Sequence, residues 1–426
     1  MKKIFTILLI ITLLLTICLL GFSCKESDPI IGERFDLTNQ VLDFIKETYY
    51  SDLDYDLADL YAAYGLVSSL GQYNYFNSVA DLLSSDTDGK GFGLIIRNTR
   101  YNEHLIDCIL EGSPFLTACD GFTPQRGDEI TYIDGTRVYG VSNDLYSAFL
   151  STLPSDRDVT FTLKRGEESF DVAYTKVDFA FPYCIYVNDL NGVPSDFGYL
   201  WLRSFTMTKD HRTEEEFRNA VKSFLHDGNR ALILDLRGNG GGSSTVLATV
   251  ASALIGENVA VGTPLVEVKY EKKGTSSYVL STAAQYRVDT PIYVLCDGGT
   301  ASASEALIGV MKAHGTLTAL IGQPTVGKGV AQNAPNDSIE DSVGYLVDKG
   351  QDTEGNEKIV GDYFVQLIVG RYYIYDDAYE GGKYCMHGNP FIPDISVTGD
   401  NVIDPDYGRD LYIHAAVEDY NSKKTQ

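Results

Sequence analysis

Basic residues are scarce in this chain of 426 residues. Lysine and arginine together number 34, against 59 aspartates and glutamates, which leaves a formal net charge of −25. A surface of that sign repels phosphate backbones, so we expect no nucleic-acid partner. The apolar and charged fractions, 44% and 22%, are ordinary for a globular protein, and the length suffices for two or three domains.

Cysteine and histidine are too irregularly spaced to suggest a metal site. Two of the seven cysteines lie in the first 24 residues, and the other five show no C-x-x-C pair and no histidine at ligand spacing. We expect no metal and no organic cofactor. The five cysteines read as buried small apolar residues, with a Cys108–Cys119 disulfide as an alternative. None of the six histidines fits a Ser–His–Asp triad.

The first residues have the pattern of an export signal. Lys2 and Lys3 precede an apolar run over residues 4–20, and the run ends in Gly-Phe-Ser-Cys24. This ending resembles a lipobox, in which the cysteine receives a lipid, and charged residues follow it directly. A plain signal peptide or a single membrane anchor is the alternative. Each version places the main body outside the cytoplasm, on the periplasmic side or at the cell surface.

The pattern of apolar and polar residues changes twice along the chain. Residues 36–83 have apolar positions near helical spacing, and residues 91–178 read as short strands and turns. From about residue 181 onward, two buried strands, residues 230–236 and 291–296, each lead through a glycine-rich turn into a helix. Two such units predict a layered α/β core. A last helix is predicted over residues 409–420.

Residues 300–305, Thr-Ala-Ser-Ala-Ser-Glu, lie where the second buried strand turns into its helix. A serine nucleophile at this position benefits from the free N–H groups and the positive dipole end of the helix. The same letters fit the capping box S-x-x-E, so Ser302 could equally be an N-cap without catalytic function.

Lys328 follows 26 residues later, between Gly327 and Gly329. A lysine acts as a general base only when neutral, and burial lowers its pKa enough to permit this. Gln332 could hold the amine by a hydrogen bond. A surface lysine in a hairpin is the alternative. Residues 322–328 also match the start of a P-loop, but Gly329 stands where Ser or Thr must hold magnesium, so nucleotide binding is not expected.

A third motif, residues 235–242, reads Asp-Leu-Arg-Gly-Asn-Gly-Gly-Gly. A glycine-rich turn after a buried strand exposes backbone N–H groups, which could form one half of an oxyanion hole with the N–H of Ala303 as the other half. A tight strand-to-helix connection without any ligand is the alternative.

Together and in this order, the three motifs resemble the carboxy-terminal processing peptidases, also called tail-specific proteases. The resemblance spans residues 36–397 and includes residues 199–205, which look like the strand that enters the core. It implies a ClpP/crotonase-like layered α/β protease core, an N-terminal helical region and an inserted PDZ-like β-rich domain. By this resemblance Ser302 is the nucleophile, Lys328 the base and Gln332 its orienter. The implied oxyanion donors are Gly241 and Ala303, with Gly240 as a substitute.

The same resemblance divides the chain. It implies a signal peptide over residues 1–23 with Cys24 lipidated, a linker and helical region over 24–86, a PDZ-like domain over 87–178, the Ser–Lys core over 179–400 and a C-terminal helix over 401–426. Gly91, Phe92, Gly93 and Leu94 look like the PDZ loop that captures a peptide carboxylate.

The implied function is a serine endopeptidase that cleaves unstructured or C-terminal segments of extracytoplasmic proteins. Its partners would be those substrates and, through the lipid, the membrane. Two alternatives stay open: a catalytically silent peptide-binding lipoprotein, and a same-fold binder or hydrolase of a small hydrophobic ligand.

Overall fold

The computed structural model describes residues 40–41, 55–73, 75–78, 88–98, 102–188, 193–208, 211–257, 259–332, 345–351, 357–397, 403–404 and 409–424. The predicted leader and Cys24 lie outside these ranges. Of the helices within them, none is both long and apolar enough to cross a bilayer. The chain divides into two compact units, Met1–Leu70 and Gly71–Gln426.

The described part of the first unit is helical. It comprises Gln40, Val41 and helix α1, Tyr55–Ser68. The helical pattern that the sequence shows up to residue 83 is wrong for Tyr75–Ser78, which is strand β1 of the second unit. Aromatic residues suit a pleated surface, and pairing with a distant strand overrides a weak local helix preference.

The remaining helices of the described chain belong to the second unit. They are α2 (Asn143–Thr152), α3 (Arg212–Asp227), α4 (Ser244–Leu254), α5 (Ala303–Ala313) and α6 (Leu411–Lys424). Helix α6 begins two residues later than the sequence predicts, because Arg409 and Asp410 are in a short strand and the Asp410 carboxylate accepts the N–H of Tyr412 (3.0 Å).

The strands of the described chain also belong to the second unit. In chain order up to residue 180 they are β1 (Tyr75–Ser78), β2 (Asp88–Gly91), β3 (Leu94–Asn98), β4 (His104–Ile109), β5 (Glu129–Ile133), β6 (Thr136–Arg137), β7 (Val159–Arg165), β8 (Glu168–Tyr174) and β9 (Val177–Ala180). The next are β10 (Cys184–Val187), β11 (Phe197–Leu202), β12 (Ala231–Asp235), β13 (Pro264–Tyr270), β14 (Thr275–Leu280), β15 (Ile292–Cys296), β16 (Leu317–Gly322) and β17 (Val330–Gln332). The last are β18 (Tyr345–Gln351), β19 (Glu357–Gln366), β20 (Ile368–Tyr375), β21 (Lys383–Cys385), β22 (Ile395–Ser396), β23 (Ile403–Asp404) and β24 (Arg409–Asp410).

The core is a layered α/β structure, as predicted. Its sheet has the order β10-β11-β12-β15-β16-β22, parallel from β11 onward with β10 antiparallel at the edge. Strand β12 shows why residues 231–234 are all apolar: Leu232 and Leu234 pack with helices α3, α4 and α5, whereas Ala231 and Ile233 pack with α6 on the other face. Helices therefore cover both faces of the parallel sheet.

Residues from β2 to β9, with α2, form what we call the middle region. Its sheet has the order β3-β4-β5-β7-β8 and encloses a separate apolar core built around Phe115 and Phe161. A further sheet, β14-β13-β20-β17, packs against α5. Strand β1 joins β19 and β18 in another sheet.

A closed ring of six alternating charges joins the middle region to the core. Each arginine of the ring is paired with two aspartates, and each aspartate with two arginines, at separations of at most 3.3 Å. In order around the ring the members are Asp107, Arg97, Asp235, Arg237, Asp410 and Arg126.

The ring lies in the interior, and its charges balance. Burial by itself raises the pKa of the Asp107 carboxyl, but the nearby arginines lower the pKa further, so that it lies well below its ordinary value. Removal of one member would leave an uncompensated buried charge, which typically costs about 3–5 kcal/mol. Since Arg237 directly precedes the glycine-rich turn, the ring also fixes where that turn begins.

Candidate active site

Ser302 stands at the head of helix α5, where β15 turns into the helix. The preceding turn is held by Asp297, whose carboxylate accepts the N–H groups of Gly238 and Gly299 (2.9 Å each), and by the Thr300 hydroxyl, which donates to Leu236 (2.9 Å). Ser302 has φ 58° and ψ −116°, a conformation that non-glycine residues rarely adopt. Such strain costs roughly 1–3 kcal/mol and concentrates at functional sites.

Glu305 is the centre of polar contacts around Ser302. Its fully buried carboxylate accepts four hydrogen bonds, from the backbone N–H groups of Ser302 (2.9 Å), Gly327 (2.6 Å) and Lys328 (2.8 Å) and from the hydroxyl of Thr325 (2.5 Å). The same oxygen, Oε2, accepts from Ser302 and from Lys328. The two residues that the sequence selects are therefore held on one atom, although they lie 26 positions apart.

The capping box that the sequence suggests as an alternative is present in the structure. Glu305 does cap the backbone of Ser302, but the same carboxylate also binds the lysine loop. The sequence indicated the first contact through the S-x-x-E spacing and contained no sign of the second, which depends on how β16 and α5 pack.

Lys328 lies in the turn between β16 and β17. Gly327 has φ 77°, and a Cβ on Gly329 would overlap the backbone of His387, so both glycines are required by the path of the chain. The P-loop alternative fails because a strand, β17, follows the turn instead of a helix.

The Lys328 amine is half-buried and donates to Oε1 of Gln332 (2.8 Å). The Gln332 amide in turn donates to the carbonyl of Tyr73 (2.5 Å). Burial lowers the pKa of Lys328 from its ordinary value, and the Glu305 carboxylate opposes this only in part. The amine is therefore easier to deprotonate than that of a lysine in water.

The glycine-rich turn packs directly on the serine. Gly241 has φ 98°, and a Cβ there would come within 2.8 Å of Ser302 Cβ and 2.7 Å of Ala303 N. The carbonyl of Gly241 accepts the N–H of Phe205 (2.9 Å), which holds the turn from its other side. No larger residue than glycine fits between these two contacts.

The N–H groups of the predicted oxyanion donors differ in whether they already donate a hydrogen bond. The N–H of Gly241 donates to Oδ1 of Asn239 (2.9 Å), a fully buried side chain that the sequence reading did not select. Among the described residues, no acceptor is found for the N–H of Ala303 or of Gly240. The N–H of Gly241 could serve an oxyanion only after leaving Asn239.

The predicted PDZ-like loop runs from Gly91, the last residue of β2, through Phe92 and Gly93 to Leu94, the first residue of β3. Gly91 pairs with Val177, and Gly93 has φ 63° with a Cβ position blocked by the ring of Phe179 (2.8 Å) and by Ser113. The Ser113 hydroxyl donates to the carbonyl of Phe92 (2.6 Å), which shapes the loop.

Next to this loop, a groove of about 390 Å³ separates strand β3 from helix α2. Leu94 and Ile96 line one wall and Tyr146 and Leu150 the other, with Lys176 at the margin. Strand β3 is the edge strand of its sheet, so its outer backbone groups face away from β4.

The structure also bears on the predictions about metal sites and cysteines. Within the described ranges, no group of three or more His, Cys, Asp or Glu side chains has the arrangement of a metal site. Cys108 and Cys119 are both free thiols, so the disulfide alternative is not observed. His314 lies at the C-terminus of α5, and burial lowers its pKa.

Comparisons with known proteins indicate a similarity to peptidases. Residues 196–362, which include Ser302, Lys328, Gln332 and the glycine-rich turn, match the profile of Peptidase family S41. The chain is 26% identical over 345 residues to the carboxy-terminal processing protease CtpA of Bacillus subtilis (strain 168), covering 78% of this chain and 69% of that protein. It is 24% identical over 339 residues to a CtpA-like serine protease of Staphylococcus saprophyticus, covering 77% and 65%.

The chain thus spans about two thirds of the length of these relatives. Among solved structures, one assigned to the S41 proteases, from Bacteroides fragilis, superposes with a TM-score of 0.54 at 17% identity and covers 83% of this chain and 87% of that one. This last likeness concerns the fold alone.

The contacts of Glu305 lead to a stability prediction. Glu305→Gln keeps the shape of the side chain but replaces one accepting oxygen with a donating NH₂ group, which would face N–H groups. We expect the free energy of unfolding to fall by roughly 2–4 kcal/mol, because buried donors lose their acceptor. Urea denaturation measures this.

The matched control is Glu215→Gln on the exposed side of α3, which should change the free energy of unfolding by less than about 0.5 kcal/mol. If both variants unfold at the same urea concentration as the unmodified protein, Glu305 does not hold the two segments together.

Proposed function

We propose that this chain, whose residues 196–362 match the profile of Peptidase family S41, is a serine endopeptidase in which Ser302 attacks and Lys328 acts as the general base. The observation that carries the proposal is the shared Glu305 oxygen, which binds the backbones of both residues. The serine-protease name of a relative supports the same chemistry.

The reaction follows from the groups present. Neutral Lys328 accepts the proton of the Ser302 hydroxyl as the serine oxygen bonds to the scissile carbonyl carbon. The carbonyl π electrons move to the oxygen, giving a tetrahedral oxyanion. Collapse of this intermediate breaks the C–N bond, and the protonated lysine gives its proton to the departing amine. Water, deprotonated by Lys328, then hydrolyses the acyl ester and restores Ser302.

The oxyanion needs N–H donors that are not already bonded. Ala303 meets this requirement at the positive end of α5, and its N–H has no acceptor among the described residues. Gly240 meets the same requirement from the neighbouring turn, whereas Gly241 would first have to release Asn239. We therefore propose Ala303 with Gly240 as the donor pair of the resting site, and Gly241 as a donor after rearrangement.

The Ser–Lys proposal is tested with a fluorophosphonate probe and a peptide library. Ser302→Ala should abolish both the adduct and cleavage, and Lys328→Met should lower the labelling rate by at least about a hundredfold. Lys222→Met, an exposed lysine on α3, is the control and should leave the rate unchanged.

The labelling rate of the unmodified protein should also depend on pH. Because the neutral amine is the active form, the rate should rise with pH and level off above a midpoint below 10.5, the ordinary lysine value from which burial lowers the pKa. No Ser302 adduct at any pH from about 6 to 10 would favour the silent peptide-binding alternative. An adduct without any peptide cleavage would favour the small-ligand alternative.

We further propose that the middle region is a PDZ-like module that binds the C-terminal end of a peptide substrate. The loop at residues 91–94 would supply N–H groups to the carboxylate, and edge strand β3 would pair with the peptide backbone. The apolar groove walls would accept an apolar last side chain. Lys176 at the margin adds a positive charge, although its amine already donates to the carbonyl of Leu153 (2.8 Å).

This role is tested by placing a carboxylate in the groove. Leu150→Glu should raise the KM for peptides with a free, apolar C-terminus at least about tenfold, because like charges repel and the wall becomes polar. Ala148→Glu, on the exposed side of the same helix, is the control. Equal KM values for the two variants would show that the groove does not bind the C-terminus of the peptide. Equal KM values for peptides with free and amidated C-termini would show the same.

The proposed substrates are unstructured or C-terminal segments of proteins outside the cytoplasm. This location is supported by the basic and apolar leader and by Cys24 at its end. We propose that a lipid on Cys24 holds the peptidase on the membrane of the cell envelope.

The anchor is tested by cell fractionation. Cys24→Ser should move the protein from the membrane fraction to the soluble extracytoplasmic fraction or leave it with an uncleaved leader. Membrane association with normal processing in that variant would contradict lipidation.

A further inference from the structure

Tyr73 contacts the Lys328–Gln332 pair, although neither the motifs nor the proposed mechanism includes it. Its backbone carbonyl accepts the Nε2 hydrogen of Gln332 (2.5 Å), and the centre of its ring lies 5.2 Å from Lys328 Nζ. Tyr73 precedes the middle region, whereas the predicted catalytic residues all follow it. The site is therefore formed by residues that come before and after the middle region in the sequence.

The carbonyl of Tyr73 decides which way the Gln332 amide points. A glutamine amide has an accepting oxygen at one end and a donating NH₂ at the other. A backbone carbonyl can only accept, so it pairs with the NH₂ end. The oxygen of Gln332 is then left to face Lys328, from which it accepts (2.8 Å). Without this carbonyl the amide could turn its NH₂ toward the amine and repel it.

The ring of Tyr73 covers the amine. At 5.2 Å the ring is within the range of cation–π attraction, which favours the protonated amine, but the ring also occupies one side of Lys328 and limits its hydration. Burial is the largest influence on the pKa of this lysine and lowers it, so we expect the loss of cover to outweigh the loss of attraction. The phenol stays neutral there, since its pKa is raised by burial first and then by the charges of Glu305 and Tyr75. The ring thus adds cover beside the lysine without adding a negative charge.

Backbone pairing fixes Tyr73 relative to Gln332. Two residues after Tyr73, strand β1 begins with Tyr75 opposite Gln366, and Gln332 in β17 lies opposite Ile368. Gln366 and Ile368 are only two residues apart on the β19–β20 stretch. Tyr73 itself has φ 71°, an uncommon value for a residue with a side chain, which indicates that its surroundings impose the conformation.

We propose that Tyr73 is a positioning residue of the peptidase site, whose carbonyl orients Gln332 and whose ring covers the amine of Lys328. The proposal rests on the Ser–Lys mechanism above. Tyr73 acts through Lys328 and is not itself assigned a step of the reaction. Among the residues that the structure describes, the groups near the lysine include the Glu305 carboxylate from α5 and the Gln332 amide from β17, and the backbone of His387 packs on the neighbouring Gly329.

The test compares three full-length proteins by the rate of fluorophosphonate labelling at Ser302 as a function of pH. Tyr73→Phe keeps the ring and the carbonyl and should stay within about twofold of the unmodified protein, with the same pH midpoint. Tyr73→Ala removes the cover. We expect its maximal labelling rate to fall at least about tenfold through misplacement of the amine, and its midpoint to rise toward the ordinary lysine value as water reaches the amine.

Thermal unfolding of the same samples separates positioning from folding. A Tyr73→Ala protein that labels at the original rate with the original midpoint overturns the proposal. A slower rate with an unchanged midpoint also overturns it, because the ring would then not shield the amine from water. Loss of folded protein is distinguished from both results, because it lowers the amplitude of labelling and does not move the pH dependence. Equal effects of Tyr73→Phe and Tyr73→Ala would assign the contact to the hydroxyl and likewise overturn it.

The dyad itself is checked in the same assay by Lys328→Met. If that variant labels like the unmodified protein, the Ser–Lys mechanism fails and the Tyr73 proposal fails with it. If Lys328→Met abolishes labelling while Tyr73→Ala does not alter it, the mechanism stands and the Tyr73 role alone is rejected.

Discussion

The geometry of the proposed catalytic site depends on the hydrogen bonds of the Glu305 carboxylate. An ionised carboxylate buried without donors is costly, and here three backbone N–H groups and one hydroxyl satisfy it. These donors come from the first turn of α5 and from the loop after β16. Because one side chain needs both sets, the strained Ser302 and the lysine loop are held in fixed register. The same charge also limits how far burial can lower the pKa of Lys328.

A second buried polar assembly connects the glycine-rich turn to the rest of the second unit. The ring of three arginines and three aspartates joins strands of the middle region, the end of β12 and the N-terminus of α6. Arg237 belongs to this ring, and Gly241, which packs on Ser302, lies four residues later. The middle region and the proposed oxyanion turn are therefore tied to one set of ion pairs, whose disruption is costly because each member is compensated by the others.

Local sequence rules were most reliable where neighbouring residues alone decide the outcome. The apolar residues 231–234 lie in the parallel strand Ala231–Asp235, which is covered on both faces, and the S-x-x-E spacing does place Glu305 on the Ser302 backbone. The rules were weaker where distant partners compete. Tyr75–Ser78 reads as helical but pairs with β19, and the N–H of Gly241, an attractive oxyanion donor by position, is taken by Asn239.

The sequence by itself determined the layered α/β core, the helix-terminal position of Ser302 and a lysine between two glycines, because apolar periodicity, capping and glycine torsions act over a few residues. Only the tertiary structure decided that Glu305 binds the segments of both Ser302 and Lys328, that six charges close into a ring and that Tyr73 reaches the lysine. The Glu305–Lys328 and Tyr73–Gln332 contacts join residues 23 and 259 positions apart. They depend on strand order and on which polar groups are left to satisfy one another once water is excluded.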